Sequence, residues 1–373
     1  MKVPFYDAVR EYDAYKSEFD NAISEVITSG GFILGKQVGE FEEAIKAYTG
    51  AKYAVGVANG SDALVIASDI LEYKNDAEVL TPVFTFFASA SCIARVGGKP
   101  VFVDIDEDTF CMDMKDAEKR ITKKTRGIIP VHLFLQAADM QKCMDLAEKY
   151  DLSVLEDAAE AFGMKTLFKG SYRHSGTIGD FGVFSFYPTK TLGGYGDGGM
   201  IVTNNEELFN KAKYYRVHGA TKKYHHDYLG YNSRLDTLQA AVLDVKLSHI
   251  DNAITLRAKH AAQYRDMLKD IPSVKLPKII EGNQEVNYVF NIQAENRDKL
   301  NTFLIDHDIG TSIYYPEPIH LQKCFEYLGY KKGNFPVAER LCNQVLALPM
   351  FPELTEDEVS FVCETIKKFF LKN

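Results

Sequence analysis

The residue types most able to do chemistry in this chain gather around one lysine. Lys190 follows an apolar run, Phe181 to Phe186, that reads as a short buried strand stopped by Pro188. Five glycines follow, at 193, 194, 196, 198 and 199, and then a second apolar run, Met200-Ile201-Val202-Thr203. The layout is strand, lysine, glycine-rich turn, strand. A lysine at the end of a buried strand is expected to be partly desolvated, which lowers its pKa and frees the amine as a nucleophile. Schiff-base chemistry with a carbonyl requires such an amine. The glycines would let the backbone turn tightly and approach a bulky ligand. The plainer alternative is that Lys190 is one more solvated surface charge among 43 lysines and arginines. Gly194 to Gly199 also satisfies G-x-G-x-x-G, but that pattern should open a helix. A strand-like segment follows here, so a dinucleotide site is rejected.

Three further loops fall at the C-terminal ends of predicted strands, where open α/β sheets bind ligands. In Asn59-Gly60-Ser61-Asp62, glycine permits a turn and the first N–H groups of the following helix can hold an anion. A plain helix cap is the competing reading. In Thr85-Phe86-Phe87 an aromatic could stack on a flat ring, or simply pack in the core. In Leu155-Glu156-Asp157-Ala158-Ala159-Glu160 a strand ends in two acids. A carboxylate there could keep a pyridine nitrogen protonated, which makes pyridoxal phosphate a better electron sink, or it could cap a helix. Ser185, five residues before Lys190, could donate to a phosphate. Each signal is weak alone. Together they supply an anion cradle, a flat wall, an acid and a Schiff-base lysine.

These loops need a scaffold. From Tyr53 to Glu156, predicted strands and helices alternate, which indicates βαβ units and a mainly parallel sheet covered on both faces. The helix over 235–250 is expected to continue towards 269 and to join two domains. Beyond Pro272 the pattern is mixed: strands over 286–293 and 311–314, helices over 297–307, 338–345 and 355–370. A large ligand-binding domain over residues 1–250 and a small C-terminal domain over 251–373 are therefore expected, with the N-terminal segment able to pack on the small one.

The composition is that of an ordinary globular protein, 46% apolar and 25% charged over 373 residues. A net charge of −9 without a basic stretch argues against nucleic acid as partner. The six cysteines form no C-x-x-C and no metal-ligand spacing, so no metal site and a reducing cytoplasm are expected. Neither a signal peptide nor a membrane span is apparent.

The ordered set of motifs resembles the pyridoxal-phosphate-dependent nucleotide-sugar aminotransferases of the DegT/DnrJ type. The motifs include Gly30 to Gly35, Ala58-Asn59-Gly60-Ser61-Asp62-Ala63-Leu64, Val131-His132-Leu133-Phe134 and Glu156-Asp157-Ala158-Ala159. Also matching are Ser185 to Lys190, Gly230 to Asp236 and Tyr314 to Gln322. The resemblance implies the aspartate aminotransferase-like (type I) fold, an α/β sheet with helices on both faces and a smaller α+β C-terminal domain. It implies that Lys190 carries the cofactor and shuttles the proton. Asp157 would pair with the pyridine nitrogen and Phe86 would stack on the ring. Gly60, Ser61 and Ser185 would hold the phosphate, and Asn232 would reach it from the other subunit of a homodimer. His320 would lie near the sugar. Two departures stand out. Glu160 replaces a frequent glutamine or histidine near the ring hydroxyl, where an ionised acid would repel a phenolate unless protonated or turned away. Leu135 replaces a frequent glycine.

The expected activity is transfer of an amino group from L-glutamate to a nucleotide-linked keto-deoxysugar. The segment Lys223-Tyr224-His225-His226, with Asn232 to Asp236, is most similar to members that aminate C3, so a dTDP-3-keto-6-deoxyhexose is the first expectation. A 4-keto sugar, another keto sugar or a cyclitol is the alternative within enzymes. A catalytically silent cofactor-binding regulator or scaffold is the alternative outside them. The family's products typically go to cell-surface polysaccharides or glycosylated metabolites.

Overall fold

The computed structural model describes residues 1–372. Its centre is a seven-stranded sheet. In chain order the strands are β1 (Tyr53–Val57), β2 (Glu78–Pro82), β3 (Lys99–Val103), β4 (Thr125–Ile128), β5 (Ser153–Asp157), β6 (Phe181–Ser185) and β7 (Gly199–Thr203). Their spatial order is β1-β7-β6-β5-β4-β2-β3. The pairs β2–β3, β2–β4, β4–β5 and β5–β6 are parallel, and β7 alone runs against its neighbours β6 and β1. Four of the seven strands are almost wholly apolar and buried, as a sheet covered on both faces requires. The helices between them include Gly60–Ile70, Ala88–Arg95 and Met140–Tyr150.

A second, three-stranded antiparallel sheet forms beyond the long helices Thr237–Ser248 and Ile250–Leu268. Its central strand is Phe290–Ala294, flanked by Val274–Lys275 and Val345–Leu348. Here two expectations are corrected. The helix expected over 338–345 stops at Leu341, and Val345–Leu348 is a strand. That run is fully buried and is ended by Pro349, so its apolar residues serve a sheet core rather than a helical stripe. The strand expected over 311–314 reduces to one bridge, Ser312 to Ala347. A hairpin over Lys165–Phe168 and Ser171–His174 and a helix over Met114–Arg120 were not anticipated.

The N-terminal segment reaches the C-terminal part. Val3 N–H donates to Asp308 O at 2.9 Å and Gly310 N–H donates to Val3 O at 2.8 Å. Arg10 makes a two-pronged contact with Glu358, at 2.8 and 2.7 Å. Tyr6 donates to the carbonyl of Pro188, two residues before Lys190, at 2.7 Å. The lysine turn is thus braced from outside its own hairpin.

The adjacent acids at the end of β5 point to opposite faces, as strand geometry dictates. Glu156 is fully buried and turns away from the cavity described below. Its Oε1 accepts from the N–H groups of Ile178 and Gly179, both at 2.6 Å, and its Oε2 accepts from Gly176 N–H at 2.8 Å. Oε2 also lies 3.0 Å from His132 Nε2, and His132 Nδ1 accepts from Ala138 N–H at 3.1 Å. That second bond assigns the ring proton to Nε2, so His132 donates to Glu156. Burial alone would push the Glu156 carboxyl up, but His132 and the backbone donors outweigh it and hold the group below its ordinary value.

A lowered carboxyl contributes stability that is present above its unfolded value, near about pH 4.3, and is lost as pH falls through the lower folded value. Glu156→Gln should therefore cost about 3 kcal/mol at neutral pH, because donors are left facing an amide NH2. The loss should shrink as the pH is lowered. Thermal melts of both proteins from pH 7 to 3 check this: a difference that stays constant over that range would contradict it.

Candidate active site

The C-terminal ends of the parallel strands open into a cavity of about 740 Å³. Of the residues singled out from the sequence, it is lined by Gly60, Ser61, Phe86, Asp157, Glu160, Ser185 and Lys190. They arrive from four different strand ends, so the fold rather than the sequence brings them together.

Asn59 starts the helix Gly60–Ile70: its Oδ1 accepts from Asp62 N–H at 2.7 Å. Gly60 lies against the end of β6, where a Cβ would meet Ser185 Cβ at 2.7 Å and Oγ at 3.1 Å. Only glycine lets the helix start sit this close to the serine. Ser185 Oγ accepts weakly from Tyr187 N–H, at 3.4 Å, which leaves its own proton available. A helix N-terminus and a free hydroxyl therefore converge, as an anion site requires. Phe86 is 57% exposed, a large apolar face open to the cavity rather than packed in the core.

Asp157 forms the polar floor. Its Oδ2 accepts from Ser89 Oγ at 2.6 Å and its Oδ1 from Ala159 N–H at 3.1 Å. Among the described residues no cation makes an ion pair with it. Burial pushes its carboxyl above the ordinary range, against the pull of Ser89, the Ala159 amide and Lys190. A buried acid in this state is matched by a ligand that brings a positive charge.

Lys190 closes a turn in which its N–H donates to Tyr187 O at 2.8 Å. Its Nζ donates to Glu160 Oε1 at 3.1 Å and lies 4.6 Å from the centre of the Tyr288 ring. The sequence led us to expect a lowered pKa, and the structure corrects this. Burial does work to lower it, but the Glu160 carboxylate, with Tyr288 and Asp157, reverses the sign and holds the amine above its ordinary value. The expectation considered burial alone and missed the partner thirty residues upstream. Glu160 is not turned away: it faces the lysine, and its other oxygen accepts from Phe134 N–H at 3.1 Å.

The turn at Leu135 forms without glycine. Leu133 and Gln136 close it with reciprocal backbone bonds at 3.0 and 2.9 Å, and Phe134 takes the left-handed backbone, φ 61°. His320 is not brought to the cavity. It is 2% exposed, packs on Phe335 with ring centres 4.7 Å apart, and lies 3.1 Å from Glu339. Asn232 is exposed and does not line the cavity of its own chain. Sequence reasoning missed Tyr288, Tyr314 and Tyr315, which line the cavity from the C-terminal part. Tyr314 and Tyr315 open the matching motif Tyr314 to Gln322, where the resemblance assigned them no role.

Among the described residues, no helix is long and apolar enough to cross a membrane, and no group of three or more His, Cys, Asp or Glu is placed to hold a metal.

The fold and site define a sugar-aminotransferase class of α/β enzyme: residues 13–367 match the DegT/DnrJ/EryC1/StrS aminotransferase family, and the chain belongs to it. It is 46% identical to the "pleiotropic regulatory protein" of Geobacillus stearothermophilus, covering 99% of both chains. It is 39% identical to the UDP-N-acetyl-3-dehydro-alpha-D-glucosamine 3-aminotransferase of Acidithiobacillus ferrooxidans, over 98% of this chain and 97% of that one. The structure of S. venezuelae DesV in complex with a ketimine intermediate superposes with a TM-score of 0.95, at 37% identity, covering 99% of this chain and 98% of that chain.

Pyridoxal 5′-phosphate is the cofactor of this family. The cavity fits it on its own geometry. A cradle that a Cβ at residue 60 would fill suits a phosphate, the open Phe86 face suits a flat ring, and the uncompensated Asp157 suits a protonated ring nitrogen. Gly60→Ala should destabilise the fold by about 1 to 3 kcal/mol through overpacking against Ser185. It should also weaken cofactor binding at least about tenfold, or about 1.4 kcal/mol. Melting curves and a cofactor titration measure the two effects separately. Wild-type affinity in this variant would remove residue 60 from the anion site.

Proposed function

We propose that this protein transfers an amino group from L-glutamate to the C3 keto group of a nucleotide-linked sugar. The observation that carries the reading is the convergence of Lys190, Asp157, Phe86 and the Gly60–Ser61 cradle on one cavity. The C3 position is supported by the relatives: the A. ferrooxidans protein is named for a UDP-linked 3-dehydro sugar, and other relatives are named for dTDP-linked 3-amino sugars. A dTDP-3-keto-6-deoxyhexose remains the first substrate to try, and a UDP-linked 3-keto sugar the second.

When bound, pyridoxal phosphate supplies the electron sink that lets an amino group move between carbons. The residues supply the rest. Lys190 Nζ would hold the cofactor through its aldehyde carbon and, when free, would carry a proton between donor and acceptor carbons. Asp157 keeps a proton on the ring nitrogen. Phe86 fixes the plane of the ring. The Gly60–Ser61 amides and the Ser185 hydroxyl hold the phosphate. Asn232 of a second copy completes that cradle in a homodimer. This role agrees with its exposure and its absence from the lining of its own chain's cavity, and with the exposed apolar loop Phe32-Ile33-Leu34. The large unit over 1–250 would then carry the cofactor. The C-terminal unit over 251–373 would contribute Tyr288, Tyr314 and Tyr315 to the substrate side.

The regulatory name of the G. stearothermophilus relative supports a second reading, a cofactor-binding protein without turnover. The visible spectrum separates the two. Purified protein with cofactor should show a yellow band that bleaches with L-glutamate, and adding a 3-keto nucleotide sugar should restore it. Lys190→Ala should abolish catalytic bleaching. Asp157→Asn should bind cofactor but bleach about 100-fold more slowly. A band unmoved by any amino donor would favour the silent regulator, and absence of cofactor binding would defeat both readings.

A further inference from the structure

Glu160 has no role in the reading above that explains its geometry. It is fastened on one side and loaded on the other. Phe134, in its left-handed conformation, aims its N–H at Oε2 from 3.1 Å, so the carboxylate cannot swing away without losing a buried bond. Oε1 accepts from Lys190 Nζ at 3.1 Å. Among the described residues this is the single hydrogen-bond acceptor in contact with the Lys190 amine, and the centre of the Tyr288 ring lies 4.6 Å from the same amine. Both side chains are largely buried, with 15% of Lys190 and 9% of Glu160 exposed. The other ionisable groups facing the pair are Asp157, Tyr288, Tyr314 and Tyr315. Asp157 is taken up by Ser89 and the Ala159 amide. The amine must be neutral to attack a carbonyl, yet it rests as an ammonium against an acid.

We propose that Glu160 is the proton acceptor that discharges Lys190 for cofactor capture and then returns the proton to the departing oxygen. This rests on the cavity being the cofactor site. The step balances. The ammonium gives one proton to Oε1. The freed lone pair adds to the aldehyde carbon, and the nitrogen passes a second proton to the carbonyl oxygen. Glu160 protonates the resulting hydroxyl, the carbon–oxygen bond breaks, and water leaves. The nitrogen keeps its third proton and the positive charge, again opposite an ionised Glu160. A glutamine here could not take the proton, and a neutral histidine could take it but could not pair with the ammonium as an anion.

The test needs no sugar substrate. In the cofactor-free protein, labelling of Lys190 by trinitrobenzenesulfonate is followed against pH by peptide mass spectrometry. Separately, capture of pyridoxal phosphate is followed by the rise of the yellow band. Removing the carboxylate withdraws the charge that favours the ammonium, so the labelling midpoint in Glu160→Gln and Glu160→Ala should fall by about 1 to 3 pH units. Acetate should accelerate cofactor capture by Glu160→Ala and leave the wild type unchanged. Circular dichroism of both variants establishes that they are folded. An unchanged midpoint with normal capture by the wild type overturns the proposal alone. A lowered midpoint without acetate rescue makes Glu160 a charge partner only and also overturns it. No capture by the wild type overturns the cofactor reading and the proposal with it.

Discussion

The site hangs from the end of one strand, where two neighbouring carboxylates must face opposite ways. Glu156 is drawn inward by three backbone N–H groups and His132. Those donors come from the segment that leads into β6 and from the loop after β4, the two neighbours of β5 in the sheet. A charge buried this deeply is tolerable only when its lone pairs are met. Because they are, the strand cannot slip by one residue: a slip would exchange the two acids and strand both. The position of Asp157 on the cavity floor is therefore held by the satisfaction of the residue before it. His132 is thus a structural donor, although its motif stands beside the site.

The cavity shows a second division of charge. Asp157 and Glu160 are three residues apart, both buried, and both under the same amine. Only Glu160 touches it. Asp157 is met by a hydroxyl and one amide, which solvate it without neutralising it. An isolated carboxyl in that state resists ionisation, and a cationic ligand relieves it. The cost of burying the group thereby becomes selectivity for a ligand carrying positive charge at the matching point. The same logic makes occupancy stabilising, since a ligand that binds the native state alone shifts unfolding towards higher temperature.

The parallel sheet, the strand–helix order and the cavity-lining loops were legible in the sequence because each depends on local pattern: apolar runs, caps and glycines. Lys190, Asp157, Gly60 and Phe86 stand at strand ends for that reason. What was not legible depends on contacts distant in sequence. The Lys190 pKa was misjudged because its direction turns on Glu160 and Tyr288, 30 and 98 residues away. The resemblance placed His320 near the sugar, but Phe335 and Glu339 pack against it away from the cavity. The strand Val345–Leu348 was hidden because a four-residue buried run has no period of its own.

The regulatory name carried by a relative at 46% identity does not weigh evenly against the geometry. A protein that only binds and signals needs a cradle and a wall. It needs a buried amine held against a buried acid only where the ligand is joined covalently, because as a non-covalent contact that pair contributes nothing to affinity that a well-packed apolar contact could not supply. Retaining both charges on largely buried side chains is reasonable where a proton has to move between them. The separation of Lys190 from Glu160, 3.1 Å, is that of a direct donor–acceptor contact, and the Phe134 amide keeps the acceptor in place. A regulatory role could be added to such a chain through its outer surface. It would not account for the interior, and the interior is what argues for chemistry.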